Sequence, residues 1–228
     1  MTDKLAGERG LAGERGLAGE LGLAGERGAR RLHDAAAVHG AFAWTEQRLF
    51  ALTGAWAAAP GLADEARCAC FEWSAQHAWH AQLWTDRLPV LAGVDRAALA
   101  QPPSEALETA LDVLAPPAGA PGAGDGEQGV DAPCFLAALS EVVLPGLLAA
   151  YRSYGEQLVP VADRPAARAL TLVLRDEVDE LAGLEELARP ALVAGAPGAP
   201  SARATVAHLE RLVGAHGGDG ACFSCSAG

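Results

Sequence analysis

Residues 72–84 read Glu72-Trp-Ser-Ala-Gln-His-Ala-Trp-His-Ala-Gln-Leu-Trp84. The run has no internal Gly or Pro, and its alanines, glutamines and leucine are good helix formers. Residues three apart are neighbours on a helix. His77 and His80 therefore share one face, and Trp73 and Trp84 lie on it with them. Two nitrogen ligands beside large aromatics point to a site inside a helical bundle.

Working outward, the neighbouring segments read the same way. A first long helix is expected from about His33 to Ala58, with Phe42, Ala43, Leu49, Phe50 and Thr53 as its stripe and Glu46 in the middle of it. Pro60-Gly61 ends it. The helix carrying the histidines runs from about Leu62 to Leu88, where Pro89 stops it. A third runs from about Pro133 to Val159, with Pro133 in its first turn, where a missing N–H costs nothing. Its stripe is Cys134, Ala137, Ala138, Leu144 and Leu148, with Glu141 inside. Pro145 cannot donate to the Glu141 carbonyl, so a kink is expected there. A fourth runs from about Arg164 to Arg189 on Leu170, Val173, Leu174, Leu181 and Leu184. Glu177 lies on that stripe and Glu180 borders it. Between the second and third helices, residues 89–133 form a long crossover with a short helix from Ser104 to Leu114, Ser104 being its cap. Such a connection suits two helices that run parallel. No period-two strand pattern recurs, so the chain reads as all-α.

The ends read differently. Residues 5–28 repeat LAGERG, LAGERG, LAGELG, LAGERG, with glycine at every third position. The spacing is formally collagen-like but has no proline to preset the dihedrals, and each glycine costs a helix about 0.8–1 kcal/mol against alanine. Residues 1–30 are therefore expected to be a flexible arm, with docking or trimerisation as its other use. Residues 31–190 form the bundle. Residues 191–228 supply a linker, a short amphipathic helix over about 201–215 and a glycine-rich tail with Cys222 and Cys225.

Bulk composition excludes several functions. Half of the 228 residues are hydrophobic, enough for a sizeable core, and the formal net charge is −12. With no basic run, neither nucleic acid nor an anionic membrane surface is an expected partner. No run of about 20 apolar residues or signal-peptide pattern stands out. Five scattered cysteines do not make a disulfide scaffold, so a cytoplasmic protein with reduced thiols is expected.

Each long helix thus carries ionisable groups at core positions. An unpaired buried carboxylate costs several kcal/mol or protonates, so such groups must compensate one another. Glu46, Glu141, Glu177 and Glu180 would balance two divalent cations, with His77 and His80 as neutral ligands. Asp176 and Asp179 replace Glu177 and Glu180 if the fourth helix is turned in phase. The tryptophans read as core filler first.

The order of these residues resembles the ferritin-like di-metal carboxylate bundles. In that family the first and third helices each give one Glu, and the second and fourth each give Glu-x-x-His. The texts AFAWTEQRLFALTGAWAA (41–58) and QHAWHAQLW (76–84) are also similar to uncharacterised ferritin-like domain proteins of high-GC actinobacteria. The resemblance covers residues 33–189. It implies a ferritin-like four-helix bundle with Glu46 and Glu141 as single ligands, His77-Ala-Trp-His80 in place of one pair and Glu177-Val-Asp-Glu180 in place of the other. It implies iron or manganese, one or two ions, and a non-haem oxidoreductase or oxygenase activating O2 or peroxide. The chain departs from the family in placing both histidines on the second helix. A di-iron centre, a single ion and a lapsed site in a non-catalytic scaffold bundle all remain open at this point, as do partners bound through the arm and self-association.

Overall fold

The computed structural model describes residues 6–90, 92–117, 130–159 and 161–214, with side chains from residue 32 onward. These residues are all-helical, with no strand among them. The helices are α1 (Ala6–Ala58), α2 (Asp64–Thr85), α3 (Glu105–Val113), α4 (Ala132–Ala138), α5 (Leu144–Gln157), α6 (Arg164–Leu192) and α7 (Ala199–Gly214). A 3-10 turn occupies Arg96–Leu99, and a π-helical turn, Leu139–Val143, joins α4 to α5.

Residue pairing sets the helix directions. Glu46 meets His77 and Gly54 meets Ser74, so α1 and α2 are antiparallel. His80 meets Glu177, His77 meets Glu180 and Trp73 meets Gly183, so α2 and α6 are antiparallel as well. Trp56 stacks on Phe135 and Phe42 packs at a tilt on Tyr151, which sets α4–α5 antiparallel to α1. It follows that α2 and α5 run the same way, and the long crossover between them is required.

The crossover is built as a strap. Ser104 caps α3 by accepting the Leu107 N–H at 3.1 Å, and Leu107 and Leu111 are buried. Arg96 donates to the Thr85 and Leu88 carbonyls, both at 2.9 Å, covering the end of α2. The strap then crosses α1 at Gly40, where an added Cβ would lie 2.0 Å from the Leu99 carbonyl oxygen. Trp56 Nε1 donates to the Leu114 carbonyl at 2.8 Å. Trp56, Trp84, Phe42, Phe135, Leu49, Leu139 and Leu144 are among the largest fully buried side chains. Each such side chain contributes about 1.5–3 kcal/mol from burial.

The structure bears on four expectations. The repeat, expected as a flexible arm, has a helical backbone from Ala6. Its glycines alternate with Leu, Ala, Glu and Arg, all strong helix formers, and the segment is continuous with a helix anchored in the core. Near Pro145, where a kink is expected, the chain takes a π turn. The Leu144 N–H reaches back five residues to the Leu139 carbonyl, absorbing the donor that Pro145 lacks without breaking the helix. Pro190 does not stop α6, which runs on to Leu192. The segment Ala132–Gln157 is long and apolar enough to pass for a membrane span, with a mean hydropathy of 1.8, but 78% of its apolar window is buried inside the protein. α1 and α6 cover part of that segment, and α7 packs on α4 with buried Ala199, Ala202 and Leu209. Cys222 and Cys225 lie outside the described residues.

Candidate metal centre

Three helices meet at one height. Glu46 from α1, His77 and His80 from α2, and Glu177 from α6 are each fully buried, and Glu180 is 2% exposed. One ligand atom from each of Glu46, His77, His80 and Glu177 falls within 4.8 Å of the others. The phase that brings them inward is the one read from sequence: each sits among apolar residues three or four positions away.

The four make a closed ring. His77 Nδ1 lies 2.7 Å from Glu46 Oε2 and 3.5 Å from Glu177 Oε1. His80 Nδ1 lies 3.6 Å from Glu46 Oε1 and 3.1 Å from Glu177 Oε1. Both histidines thus turn Nδ1 inward, and each carboxylate spans both rings. Their outer nitrogens meet further carboxylates. His77 Nε2 is 3.2 Å from Glu180 Oε1, and His80 Nε2 is 3.3 Å from Asp176 Oδ2. Tyr151 from α5 donates its hydroxyl hydrogen to Glu46 Oε1 and accepts one from Trp84 Nε1 at 3.2 Å.

Glu141, expected as the ligand from the third helix, is not in the centre. It lies in the π turn and is the one exposed residue between Cys134 and Leu144. The helix around it is buried on every side, so apolar neighbours three and four residues away do not mark an inward face. Tyr151 occupies the third helix's place beside Glu46. Sequence reasoning missed it because an aromatic at apolar spacing after Leu147 and Leu148 reads as core. Glu180 backs a histidine instead of closing the ring, and Asp176 joins the cluster beside Glu177, not in place of it. Asp179 is exposed.

The electrostatics follow from dense packing of opposite charges. Burial pushes the Glu46 carboxyl up, but hydrogen bonds and charge from His77 and His80 outweigh it and hold Glu46 at about 2. Burial and the neighbouring Glu46 charge push Glu177 up to about 8. Burial alone would lower both imidazoles. Glu180 and Glu177 instead hold His77 well above its ordinary value, and hydrogen bonds to Glu177 and Glu46 lift His80 to about 10. Burial beside Glu46 raises Tyr151 well above the phenol range.

Two observations test whether the donors suit a cation. Ligand atoms about 2.1 Å from one ion sit about 3.0–3.4 Å apart, and the ring's N···O separations run from 2.7 to 3.6 Å. Moreover, Glu177 Oε2 and Glu180 Oε2 are buried without any hydrogen-bond partner. A buried, unsatisfied carboxylate oxygen costs a few kcal/mol, which a cation in the ring would offset at Glu177. Two imidazoles and two carboxylates match first-row divalent metals. The carboxylates on the outer nitrogens match the usual backing of ligating histidines.

No protein-family model matches the chain, and neither the curated proteins nor the solved structures yield a match.

Proposed function

We propose that the chain is a ferritin-like metal-binding protein holding one divalent first-row ion, iron or manganese, on Glu46, His77, His80 and Glu177. The observation that carries this reading is the orientation of the two imidazoles. Both present Nδ1 to the ring and both have Nε2 against a carboxylate. Two neutral imidazoles with two carboxylates neutralise one M²⁺, and such a set leaves coordination positions open to a small ligand. O2 or peroxide activation by a non-haem centre is the chemistry this donor set supports. The helix directions and the long crossover are in keeping with a ferritin-like bundle. The loss of Glu141 from the cluster argues for one ion over two.

A second reading has its own support. Every histidine nitrogen in the cluster already faces a carboxylate, so the same groups also suit a purely structural polar core in a scaffold bundle. Metal analysis of the purified full chain separates the two. The metal reading expects about one iron or manganese per chain, lost in His80→Ala. The structural reading expects no stoichiometric metal and a loss of about 1–3 kcal/mol in metal-free His80→Ala.

A further inference from the structure

The proposed ligands are sealed from solvent, and the contacts of His80 show where the seal is thinnest. Two partly exposed side chains touch His80. The Asp176 side chain is 32% exposed and meets His80 Nε2. Trp79 is 45% exposed, with its ring centroid 5.5 Å from that of His80. Tyr151 and Trp84, which meet each other beside Glu46, are fully buried. The 3.3 Å His80–Asp176 contact is also the longest of the four histidine–carboxylate hydrogen bonds. It is the one of the four that is not fully buried.

We propose that Asp176 is the loading carboxylate of this centre, the group on which a divalent cation lands from solvent, at a mouth flanked by Trp79, before it passes the His80 ring to Glu177 and Glu46. This rests on the metal-binding reading above. A hydrated cation is drawn to an accessible carboxylate, and a negative group in a low-dielectric mouth raises its local concentration. Asp176 and Glu177 meet the two nitrogens of the same imidazole, His80, so the transfer runs along that ring from one carboxylate to the other. When the Asp176 contact is released, His80 still has Glu177 and Glu46 to hold Nδ1.

The test is Co²⁺ uptake by the full chain after chelator stripping, followed by stopped-flow absorbance. Asp176→Asn removes the charge but keeps an oxygen that accepts from His80 Nε2–H. It should slow uptake about tenfold and flatten the dependence of the rate on ionic strength. The final stoichiometry should be retained, with an affinity weakened about 10–100-fold because His80 loses the carboxylate behind Nε2. The slowed, less salt-dependent uptake is the effect that a backing role alone would not produce. Asp179→Asn makes the same charge change on α6 at an exposed position and should leave the rate unchanged. An unslowed rate in Asp176→Asn, or equal slowing by Asp179→Asn, overturns the proposal. So does loss of stoichiometric cobalt, which would make Asp176 a ligand. Uptake by the unsubstituted chain with any of these results leaves the metal reading standing. No uptake by the unsubstituted chain ends both.

Discussion

Tyr151 donates its hydroxyl hydrogen to Glu46 Oε1 and so ties α5 to α1 at the ring's first carboxylate. Both side chains are fully buried. The phenol fixes which Glu46 oxygen is left for His77 and which is shared with His80. Tyr151→Phe keeps the packing against Phe42 and Trp84 and removes only this donor. Metal-free protein should lose about 1–3 kcal/mol in denaturant unfolding, because a buried carboxylate oxygen and the Trp84 N–H are left unpaired. Metal affinity should fall about 10–100-fold with stoichiometry retained. Unchanged affinity and stability would show that the hydroxyl does not orient Glu46.

Glu141 and Glu177 should behave as opposites. Glu141→Gln changes an exposed side chain, and its effect on stability should stay within about 0.5 kcal/mol, with metal content unaltered. Glu177→Gln removes a ring ligand and should abolish stoichiometric metal. Loss of metal in Glu141→Gln would restore the four-helix ligand set implied by the family resemblance.

These two glutamates also show what was legible in the sequence. On α1, α2 and α6 one face is wet, so a charged residue flanked by apolar ones at three and four positions must point inward. Glu46, His77, His80, Glu177 and Glu180 were found on that basis. The third helix is covered on its outer side by α7, and there the same pattern loses its meaning. Tyr151 carried no signal, because nothing in a sequence separates a core tyrosine from one that binds a carboxylate. The all-helical class, the crossover and its Ser104 cap were legible from periodicity and capping chemistry. The helical backbone of the repeat was not, because continuity with an anchored helix outweighs the glycine penalty counted residue by residue.

Alkaline pH should destabilise chelator-treated protein. His77 and His80 have raised values in the fold, His80 at about 10. Their contribution is complete below an unfolded imidazole's pKa of about 6.5 and is lost as pH rises through the folded value. Glu177, at about 8, acts in the same direction, its contribution being lost as pH climbs from the ordinary carboxylate range through 8. Stability should therefore fall by a few kcal/mol between about pH 7 and 10. Glu46, at about 2, keeps its contribution until strong acid. Metal-loaded protein should show a flatter alkaline limb, since the cation replaces the protons. Denaturation midpoints across this range check the sign, and stability rising towards pH 9 would contradict it.

Gly40→Ala should weaken the fold away from the centre. The new methyl would meet the Leu99 carbonyl at 2.0 Å, so the strap must move off α1 or α1 must bend. The expected loss is about 1–3 kcal/mol, with metal stoichiometry preserved. A stability equal to the parent's would show that the strap is loosely held.

The central claim is that one ion sits among Glu46, His77, His80 and Glu177. Anomalous diffraction at the manganese or iron absorption edge, on crystals of the loaded full chain, tests it most directly. The account predicts a single peak per chain about 2.0–2.2 Å from Nδ1 of both histidines and from an oxygen of each glutamate, with both Nε2 atoms still facing Glu180 and Asp176. No peak in the ring, a peak bound through Nε2, or a second peak of equal height involving Glu141 would contradict it.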